Sequence, residues 1–223
     1  MEKFEKLTGM KAEDVRETCI LTPFFSKQLV SGFKVEKINK GMLCSTGNNE
    51  TATLICTRMG SGFAGDAVLL LKETACKNIV FAGTCGAMNK KLNIGDTLLI
   101  KECYAQDSFI NMLLQNPVIA SFPASSRLYS DILKTDKTII PAVCLSLGSL
   151  ELEQQYLNSI NLNIDVVDME TAAIYAAAGK NGMNSIAVLT VSDIIGKIPY
   201  YETPVNTINP EKIMQLLNTI KSS

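Results

Sequence analysis

The sequence predicts a single α/β domain with three layers, α/β/α, and a mixed, largely parallel central sheet. The chain has 223 residues, which suits one such domain and is enough to bury a sizeable core. Residues 185–191 form a continuous apolar run of strand length, as in a parallel sheet covered on both faces. Residues 171–178, just before this run, are rich in alanine, the best helix former, and Gly179 and Gly182 follow as stop signals.

Composition narrows the class of protein. Apolar residues make up 47% and charged residues 19% of the chain, which indicates a well-packed globular protein. The formal net charge of −1 gives no electrostatic reason to bind nucleic acid or an anionic membrane. No apolar run is long enough to span a bilayer, and the N-terminus does not resemble a signal peptide. Seven scattered cysteines without a Cys-x-x-Cys motif indicate reduced thiols, so we expect a cytoplasmic protein.

The chain contains no histidine. This excludes Ser-His-Asp and Cys-His mechanisms and the commonest zinc sites, so we expect no metal. Acid–base chemistry must therefore depend on carboxylates, cysteines, lysines or tyrosines.

The other elements follow from local patterns along the chain. Helices are predicted over residues 1–18, 66–76, 125–133 and 210–220. Strands are predicted over residues 19–23, 42–44, 52–56, 78–82, 97–100 and 141–149, the last with its loop. Turns are predicted at residues 47–49 and 93–96, with Asp96 as a turn residue, and a loop at 117–123. The last helix carries an apolar face that we expect in the core: Ile213, Leu216, Leu217 and Ile220.

A glycine-rich segment suggests one alternative function. Gly60, Gly62 and Gly65 match Gly-x-Gly-x-x-Gly between a predicted strand and a predicted helix, as in dinucleotide-binding proteins. Such a site also needs an acidic residue at the end of the next strand, to bind the ribose hydroxyls. Here residues 83–86 follow that strand and contain no acid. A nicotinamide or flavin oxidoreductase is thus a disfavoured alternative, and we expect no cofactor.

Carboxylates flank the alanine-rich helix and the apolar strand. Asp168 and Glu170 precede the helix, and Asp193 follows the strand. A carboxylate beside an apolar run must be exposed to solvent, paired with a partner group or used in function. In such sheets, ligands bind beyond the carboxyl ends of the strands. The sequence therefore predicts a functional site at these residues.

The motif Asp168-Met169-Glu170 before a helix, followed by Thr190-Val191-Ser192-Asp193, resembles the nucleoside phosphorylase family. That family also contains the methylthioadenosine/S-adenosylhomocysteine nucleosidases. Residues 83–87 and 93–100 resemble two further family segments, and the flanking glycines Gly83 and Gly86 predict a sharp turn of the backbone in the first of them. The resemblance implies a nucleoside phosphorylase-like fold and cleavage of the N-glycosidic bond of purine-type nucleosides, by phosphorolysis or hydrolysis. It also implies a nucleoside substrate, phosphate as a possible second one, and a homo-oligomer, either a dimer or a hexamer.

The same resemblance implies residue roles. Asp193 is the expected general acid at purine N7, and Glu170 is expected to accept hydrogen bonds from the ribose hydroxyls. Asp168 assists Glu170, and Met169 packs on the sugar. The expected phosphate- or water-binding residues are Gly83, Thr84 and Lys27, and those at the base are Cys85, Gly86 and Ser192. We expect Cys85 to be a packed thiol, and not a nucleophile.

Several positions depart from the family pattern. Phe81 stands where phosphorylases carry a phosphate-binding arginine, and residues 20–27 lack the glutamate with which nucleosidases activate water. Leu150 and Leu152 replace the ring that stacks on the base, and Tyr156 lies further along. No arginine follows Arg127, which leaves Lys197 as the cation nearest in sequence to the acid. A catalytically impaired nucleoside-binding or storage-like protein is therefore the alternative to an active enzyme.

Overall fold

The computed structural model describes residues 2–24, 26–106, 120–151, 153, 157, 162–202 and 208–221. The helices are α1 (Glu2–Thr8), α2 (Lys27–Gly32), α3 (Ser61–Leu70), α4 (Ser126–Thr135), α5 (Thr171–Asn181) and α6 (Pro210–Lys221). The strands are β1 (Thr18–Thr22), β2 (Asn39–Lys40), β3 (Ser45–Asn48), β4 (Thr53–Cys56), β5 (Asn78–Ala87), β6 (Thr97–Gln106), β7 (Ala120–Pro123), β8 (Ile140–Leu147), β9 (Val166–Asp168) and β10 (Asn184–Ile194). None of the described helices is long and apolar enough to cross a bilayer.

The strands form one mixed sheet, as predicted. β4, β1, β5 and β10 run parallel to one another, whereas β6, β8 and β9 run parallel among themselves and antiparallel to β5 and β10. β10 pairs with both β5 and β6, and β9 returns to β5. These five strands therefore close into a ring, and β1 to β4 extend the sheet on one side.

Helices cover both faces of the sheet, which confirms the three-layer prediction. Residues of α1, α3 and α5 belong to one apolar cluster, which we call the first cluster. Residues of α2, α4 and α6 belong to the second cluster on the other face. The predicted core face of the last helix is buried in the second cluster: Ile213, Leu216, Leu217 and Ile220.

Strand β5 changes partner halfway along its length. β1 is in register with β5 up to Phe81, and β9 takes over on that side from Gly86 onwards. β10 pairs with β5 along its other side. The carboxyl end of β1 lies at this change of partner, which is the kind of switch point where open α/β sheets bind ligands.

Helix α5 is fixed tightly against the sheet. It ends at Asn181, and Gly182 follows with a φ of 70°, the left-handed conformation that favours glycine. The Tyr175 hydroxyl donates to the Ile100 carbonyl (2.7 Å) and accepts from the Ala187 N–H (2.9 Å), and so joins the helix to β6 and β10. The start of α5, which carries the candidate site residues, is thereby held in place.

Three predictions in the amino-terminal half of the chain had the wrong residue bounds. The lead-in helix ends at Thr8, since Gly9 adopts the left-handed conformation (φ 77°), and a Cβ there would lie 2.8 Å from the Lys40 backbone. The predicted turn at residues 47–49 falls at 49–52, where the Asn49 side chain accepts from the backbone of residues 51 and 52. The helix predicted over residues 66–76 begins at Ser61 and ends at Leu70.

Two further predictions were wrong because strand pairing overrides local propensity. Residues 83–87 belong to β5 and make no sharp turn, since β10 pairs with them throughout. Ala120–Pro123, predicted as part of a loop, is an edge strand on β6 with its proline at the end, where a missing N–H is tolerated. Residues 117–119 of that loop lie outside the described residues.

Candidate active site

Asp193 lies at the carboxyl end of β10, as predicted. Val191 is opposite Cys85 and Asp193 is opposite Gly86, so Ser192 is the extra residue of a β-bulge that redirects the strand. Asp193 is only 8% exposed, and burial raises the pKa of its carboxyl group. The Ser192 hydroxyl, 2.6 Å from Asp193 Oδ1, offsets part of this rise. The carboxyl group is thus biased towards its protonated, hydrogen-bond-donating form.

The base-binding candidates surround this acid. A Cβ on Gly86 would lie 2.8 Å from Asp193 Oδ2 and 2.6 Å from Ile195 Cδ1, so a larger residue here would displace these two side chains. The Ser192 hydroxyl also lies 3.2 Å from the Cys85 carbonyl oxygen. Burial, followed by the charges of Asp168 and Asp193, raises the pKa of the Cys85 thiol, and its 3% exposure confirms the prediction of a packed thiol.

Glu170 lies between β9 and α5 and is 5% exposed. Its Oε1 accepts a hydrogen bond of 2.6 Å from the Gly60 N–H, in the loop after β4. Burial, and then the charge of Asp168, raises the pKa of Glu170 to about 8, although the Gly60 and Met169 N–H groups oppose the rise. Met169 is half-buried beside it. A ligand that donates to this carboxyl group would therefore favour its ionised form.

The carboxyl group of Asp168 is directed into the protein. Oδ1 lies 2.5 Å from Ser146 Oγ and 3.4 Å from Cys144 Sγ, and Oδ2 accepts from the Thr171 N–H (2.9 Å) and hydroxyl (2.5 Å). Asp168 thus caps the start of α5. Because both oxygens already accept two hydrogen bonds, Asp168 fixes the start of α5 and the adjoining loop that carries Glu170.

Asp168 also belongs to a buried cluster with Cys103 and Cys144. The three ligand atoms lie within 4.8 Å of one another, and among the described residues this is the group with a spacing that suits a metal ion. Burial raises the pKa of both thiols, and Cys103 Sγ lies 3.3 Å from Ser146 Oγ. Both thiols are therefore neutral and can donate hydrogen bonds to oxygen. The cluster is thus explained as a hydrogen-bonded network beneath Glu170.

The phosphate- or water-binding candidates are dispersed. Thr84 is half-buried on β5. A Cβ on Gly83 would lie 2.8 Å from the ring of Phe81, which is itself fully buried and so belongs to the core. Lys27 is the exposed first residue of α2, and Lys197 is exposed in the turn after β10. Among the described residues, the position of the family arginine is thus occupied by the buried Phe81, and the nearest polar candidate on β5 is the hydroxyl of Thr84.

The sequence analysis missed Arg58 and Glu153, whereas it singled out Gly60 as part of the glycine-rich segment. Gly60 supplies the N–H that binds Glu170, and its φ of 104° places it outside α3. Arg58, in the same loop, has a φ of 67° and stacks on Phe63 with 5.6 Å from Cζ to the ring centroid. Burial, followed by the charge of Asp193, raises the pKa of Glu153 to about 7. A carboxylate just past the predicted strand 141–149 was the signal that could have identified Glu153.

Comparison with known proteins identifies the family. The family model described as "Phosphorylase superfamily" matches residues 7–212. The chain belongs to the phosphorylase superfamily. It is 28% identical over 205 residues to the DeoD-type purine nucleoside phosphorylase of Alkaliphilus metalliredigens, covering 83% of this chain and 85% of that protein. It is 26% identical over 204 residues to the DeoD-type enzyme of Clostridium perfringens, covering 83% and 85% respectively.

Solved structures of two nucleosidases share its fold. AMP nucleosidase from Bacteroides thetaiotaomicron superimposes with a TM-score of 0.75 at 23% identity, covering 96% of this chain and 91% of that one. A 5′-methylthioadenosine/S-adenosylhomocysteine nucleosidase from Neisseria meningitidis gives 0.73 at 18% identity, covering 93% and 100%. These matches confirm the nucleoside phosphorylase-like fold.

Membership of the phosphorylase superfamily also argues against the alternative of an oxidoreductase that binds a dinucleotide at the glycine-rich segment. Gly62 and Gly65 lie inside α3 and do not form a phosphate-binding turn. The Gly60 N–H, which would face a pyrophosphate, is already bound to Glu170. The glycine pattern is therefore a coincidence of spacing in this family member.

The raised pKa of Glu170 predicts a specific pH dependence of stability. A carboxyl group whose pKa rises from about 4.5 to about 8 on folding favours the folded state below pH 4.5 and loses that contribution as the pH rises through 8. We therefore expect the free energy of unfolding to fall between pH 6 and 8.5, with Glu170 contributing on the order of 1–3 kcal/mol. Urea unfolding at several pH values measures this. Glu170→Gln, which cannot ionise, should flatten the decline, and a variant with the wild-type slope would refute the assignment.

Proposed function

We propose that this protein cleaves the N-glycosidic bond of purine nucleosides. The observation that carries the proposal is a pair of buried carboxyl groups, Asp193 and Glu170, each with a raised pKa and each directed by a fixed neighbour. Asp193 is set by the bulge of β10, and Glu170 by the Gly60 N–H. Two carboxyl groups with different hydrogen-bond partners suit a reaction that needs one general acid and one hydrogen-bond acceptor.

Asp193 would act on the base. Its biased protonation lets it donate to purine N7 as the bond between the base and C1′ breaks, so that the base leaves neutral. The pKa of Glu153 is also raised, in part because the negative charge of Asp193 acts on it. Because no cation is described between these two carboxyl groups, each disfavours ionisation of the other. Asp193 is thereby kept in the protonated form that general acid catalysis requires.

Glu170 would act on the sugar. Two ribose hydroxyls that donate to its carboxyl group favour the ionised form, and a negative charge there stabilises the oxocarbenium-like transition state of glycosidic cleavage. Met169 would pack on the sugar, and Asp168 would fix the loop through its four hydrogen bonds. Cys85, Gly86 and Ser192 would border the base, and Gly83 and Thr84 the nucleophile.

The relatives support this choice of reaction. The proteins similar in sequence are named purine nucleoside phosphorylases, and those similar in structure are named nucleosidases that act on AMP or on methylthioadenosine and S-adenosylhomocysteine. Both reactions break a bond between a purine and ribose. They differ in the nucleophile, which is phosphate in one group and water in the other.

We predict base release that does not require phosphate. A phosphate dianion in a closed site needs compensating cations, and here Phe81 is buried while Lys27 is exposed at the start of α2. The test is purine release from adenosine and inosine, with phosphate titrated from zero to tens of millimolar. We expect free ribose as the product and a rate that is flat across the titration.

Two outcomes of that assay would contradict the prediction. Strict dependence on phosphate, with ribose 1-phosphate as the product, would show that a cation such as Lys27 or Arg58 completes a phosphate site. No purine release under any condition would favour the nucleoside-binding alternative, which nucleoside titration by calorimetry would then establish.

Two finer proposals concern assembly and location. Met42, Met59 and Phe63 are exposed apolar side chains, with Met42 76% exposed, and this supports a homo-oligomer. Light scattering on the purified protein measures the oligomeric state. The seven cysteines are free and buried, which supports a reducing compartment such as the cytoplasm.

A further inference from the structure

A cavity of about 450 Å³ lies at the edge of the sheet opposite Asp193. Thr18, Asn78 and Asn184 line it together. These are the first residues of β1, β5 and β10, and they stand in register across the three parallel strands. Asn184 and Asp193 lie at opposite ends of β10, roughly 30 Å apart at the usual rise of a strand. The cavity is therefore separate from the candidate active site.

Two helices of the second cluster border this cavity. Arg127, near the start of α4, and Ile220, in the last turn of α6, are among its lining residues. The hydroxyl of Ser125, the N-cap of α4, lies 3.2 Å from Asn184 Oδ1, so the start of this helix is fixed beside the row of strand ends. The amino-terminal end of a helix carries a partial positive charge, which favours an anion nearby.

The side chains that line the cavity add full positive charges. Arg16, Lys77 and Arg127 line it with a single carboxylate, Glu17, which gives a net charge of +2. Lys77 Nζ lies 2.6 Å from Glu17 Oε1, so this pair is neutral. The charge of +2 thus comes from two of the three arginines in the chain. Like charges that share one cavity repel each other, and an anion between them would remove that repulsion.

Several hydrogen-bond donors at the cavity have unused capacity. Thr18 is only 5% exposed, yet its hydroxyl makes no hydrogen bond within the described residues. The Arg16 guanidinium has no partner in that part of the chain either, and Arg127 Nη2 donates to the neutral Asn78 Oδ1 at 3.3 Å. Nearly all buried polar groups in folded proteins are satisfied, and each guanidinium offers five N–H donors. A ligand with several acceptor oxygens would satisfy these groups.

We propose that this cavity binds a small phosphate monoester, whose phosphate group is held by Arg16, Arg127 and Thr18. A phosphate group carries about two negative charges at neutral pH and three acceptor oxygens, which match the charge and the donors of the cavity. Guanidinium groups bind phosphate through paired hydrogen bonds. The volume lies in the range of small-molecule sites, so there is also room for an organic part beside Asn184 and Ile220. This site is independent of the proposed function, because it lies at the other edge of the sheet.

The test is calorimetric titration at neutral pH with glycerol 3-phosphate and with inorganic phosphate. We expect both to bind, the monoester more tightly. Arg16→Gln and Arg127→Gln should each raise the Kd of the monoester about 10- to 100-fold, the usual effect of losing hydrogen bonds to a charged group. Both side chains are exposed, so these variants should fold like the wild type. Thr18→Val should weaken binding about 3- to 10-fold without lowering the melting temperature, because its hydroxyl makes no described hydrogen bond in the protein.

Arg58→Gln is the matched control. It removes the same charge from the third arginine, which lies in the loop after β4, and should leave the Kd unchanged. A loss of binding in Arg58→Gln with wild-type affinity in Arg16→Gln and Arg127→Gln would overturn the inference, because the anion would then bind elsewhere. Equal losses in all three arginine variants would overturn it too, since they would show a response to net charge alone.

A crystal structure gives a second readout that does not depend on affinity. Crystals soaked with glycerol 3-phosphate should show its phosphate group within hydrogen-bond distance of both guanidinium groups and of Thr18 Oγ1. No binding of the monoester up to tens of millimolar, or a monoester that binds no more tightly than inorganic phosphate, would overturn the inference. In the latter case the cavity would hold an adventitious ion only.

Discussion

Asp193→Asn is expected to lower purine release by about 10²- to 10⁴-fold, the usual contribution of a general acid. An amide has the shape of a carboxyl group but no transferable proton, so the base would have to leave as an anion. The Ser192 hydroxyl, 2.6 Å from Asp193 Oδ1, can still meet the amide oxygen. The bulge and the fold should therefore survive, and the loss should appear in kcat. Steady-state kinetics with adenosine and inosine measure it.

A matched control separates a chemical role from a charge effect. Asp66→Asn changes an exposed carboxylate on α3, away from β10, and should leave turnover and melting temperature as in the wild type. Nucleosides whose bases leave readily without protonation should be cleaved by Asp193→Asn with a much smaller loss. Wild-type turnover of adenosine by Asp193→Asn would eliminate this residue as the acid.

Glu170→Ala is expected to weaken nucleoside binding strongly and free-base binding hardly at all. The carboxylate would accept from two ribose hydroxyls, and a hydrogen bond to a charged group contributes about 1.5–3 kcal/mol. The loss for a nucleoside is thus expected to reach on the order of 3–6 kcal/mol, although such contributions rarely add fully. Calorimetric titration with adenosine and with adenine compares the two ligands directly.

The same variant also removes the acceptor of the Gly60 N–H. Glu170→Gln is therefore the informative companion, because its amide oxygen can keep that bond while the negative charge is lost. We expect Glu170→Gln to fold like the wild type and to bind nucleoside weakly. Equal losses for adenine and adenosine would show that Glu170 only supports the loop after β4.

Strong local patterns predicted the elements around the site. The apolar run at residues 185–191 lies within β10, and the alanine-rich segment lies within α5, which ends just before Gly182 as expected. Asp96 is a turn residue, since its Oδ2 accepts from the Asn93 N–H (2.8 Å). Such signals succeed because backbone propensity and burial act in the same direction there.

Predictions failed where pairing and packing opposed local propensity. The glycines after Phe81 suggested a turn, but β9 and β10 extend β5 through them. Gly62 and Gly65 suggested a loop, but burial of α3 against α5 outweighs the low helix propensity of glycine. Tyr156 and Leu152, considered for the base, lie outside the described residues.

The sequence by itself determined which residue types are available for chemistry. It has carboxylates but no histidine, and it has Phe81 where phosphorylases have an arginine. The tertiary structure alone decided how these residues are used. Glu170 meets Gly60 across 110 positions, Asp168 turns inward to cap α5, and Arg16 and Arg127, from distant parts of the chain, line one cavity. These contacts depend on strand register and on packing between distant segments, and neither is encoded in a local stretch of residues.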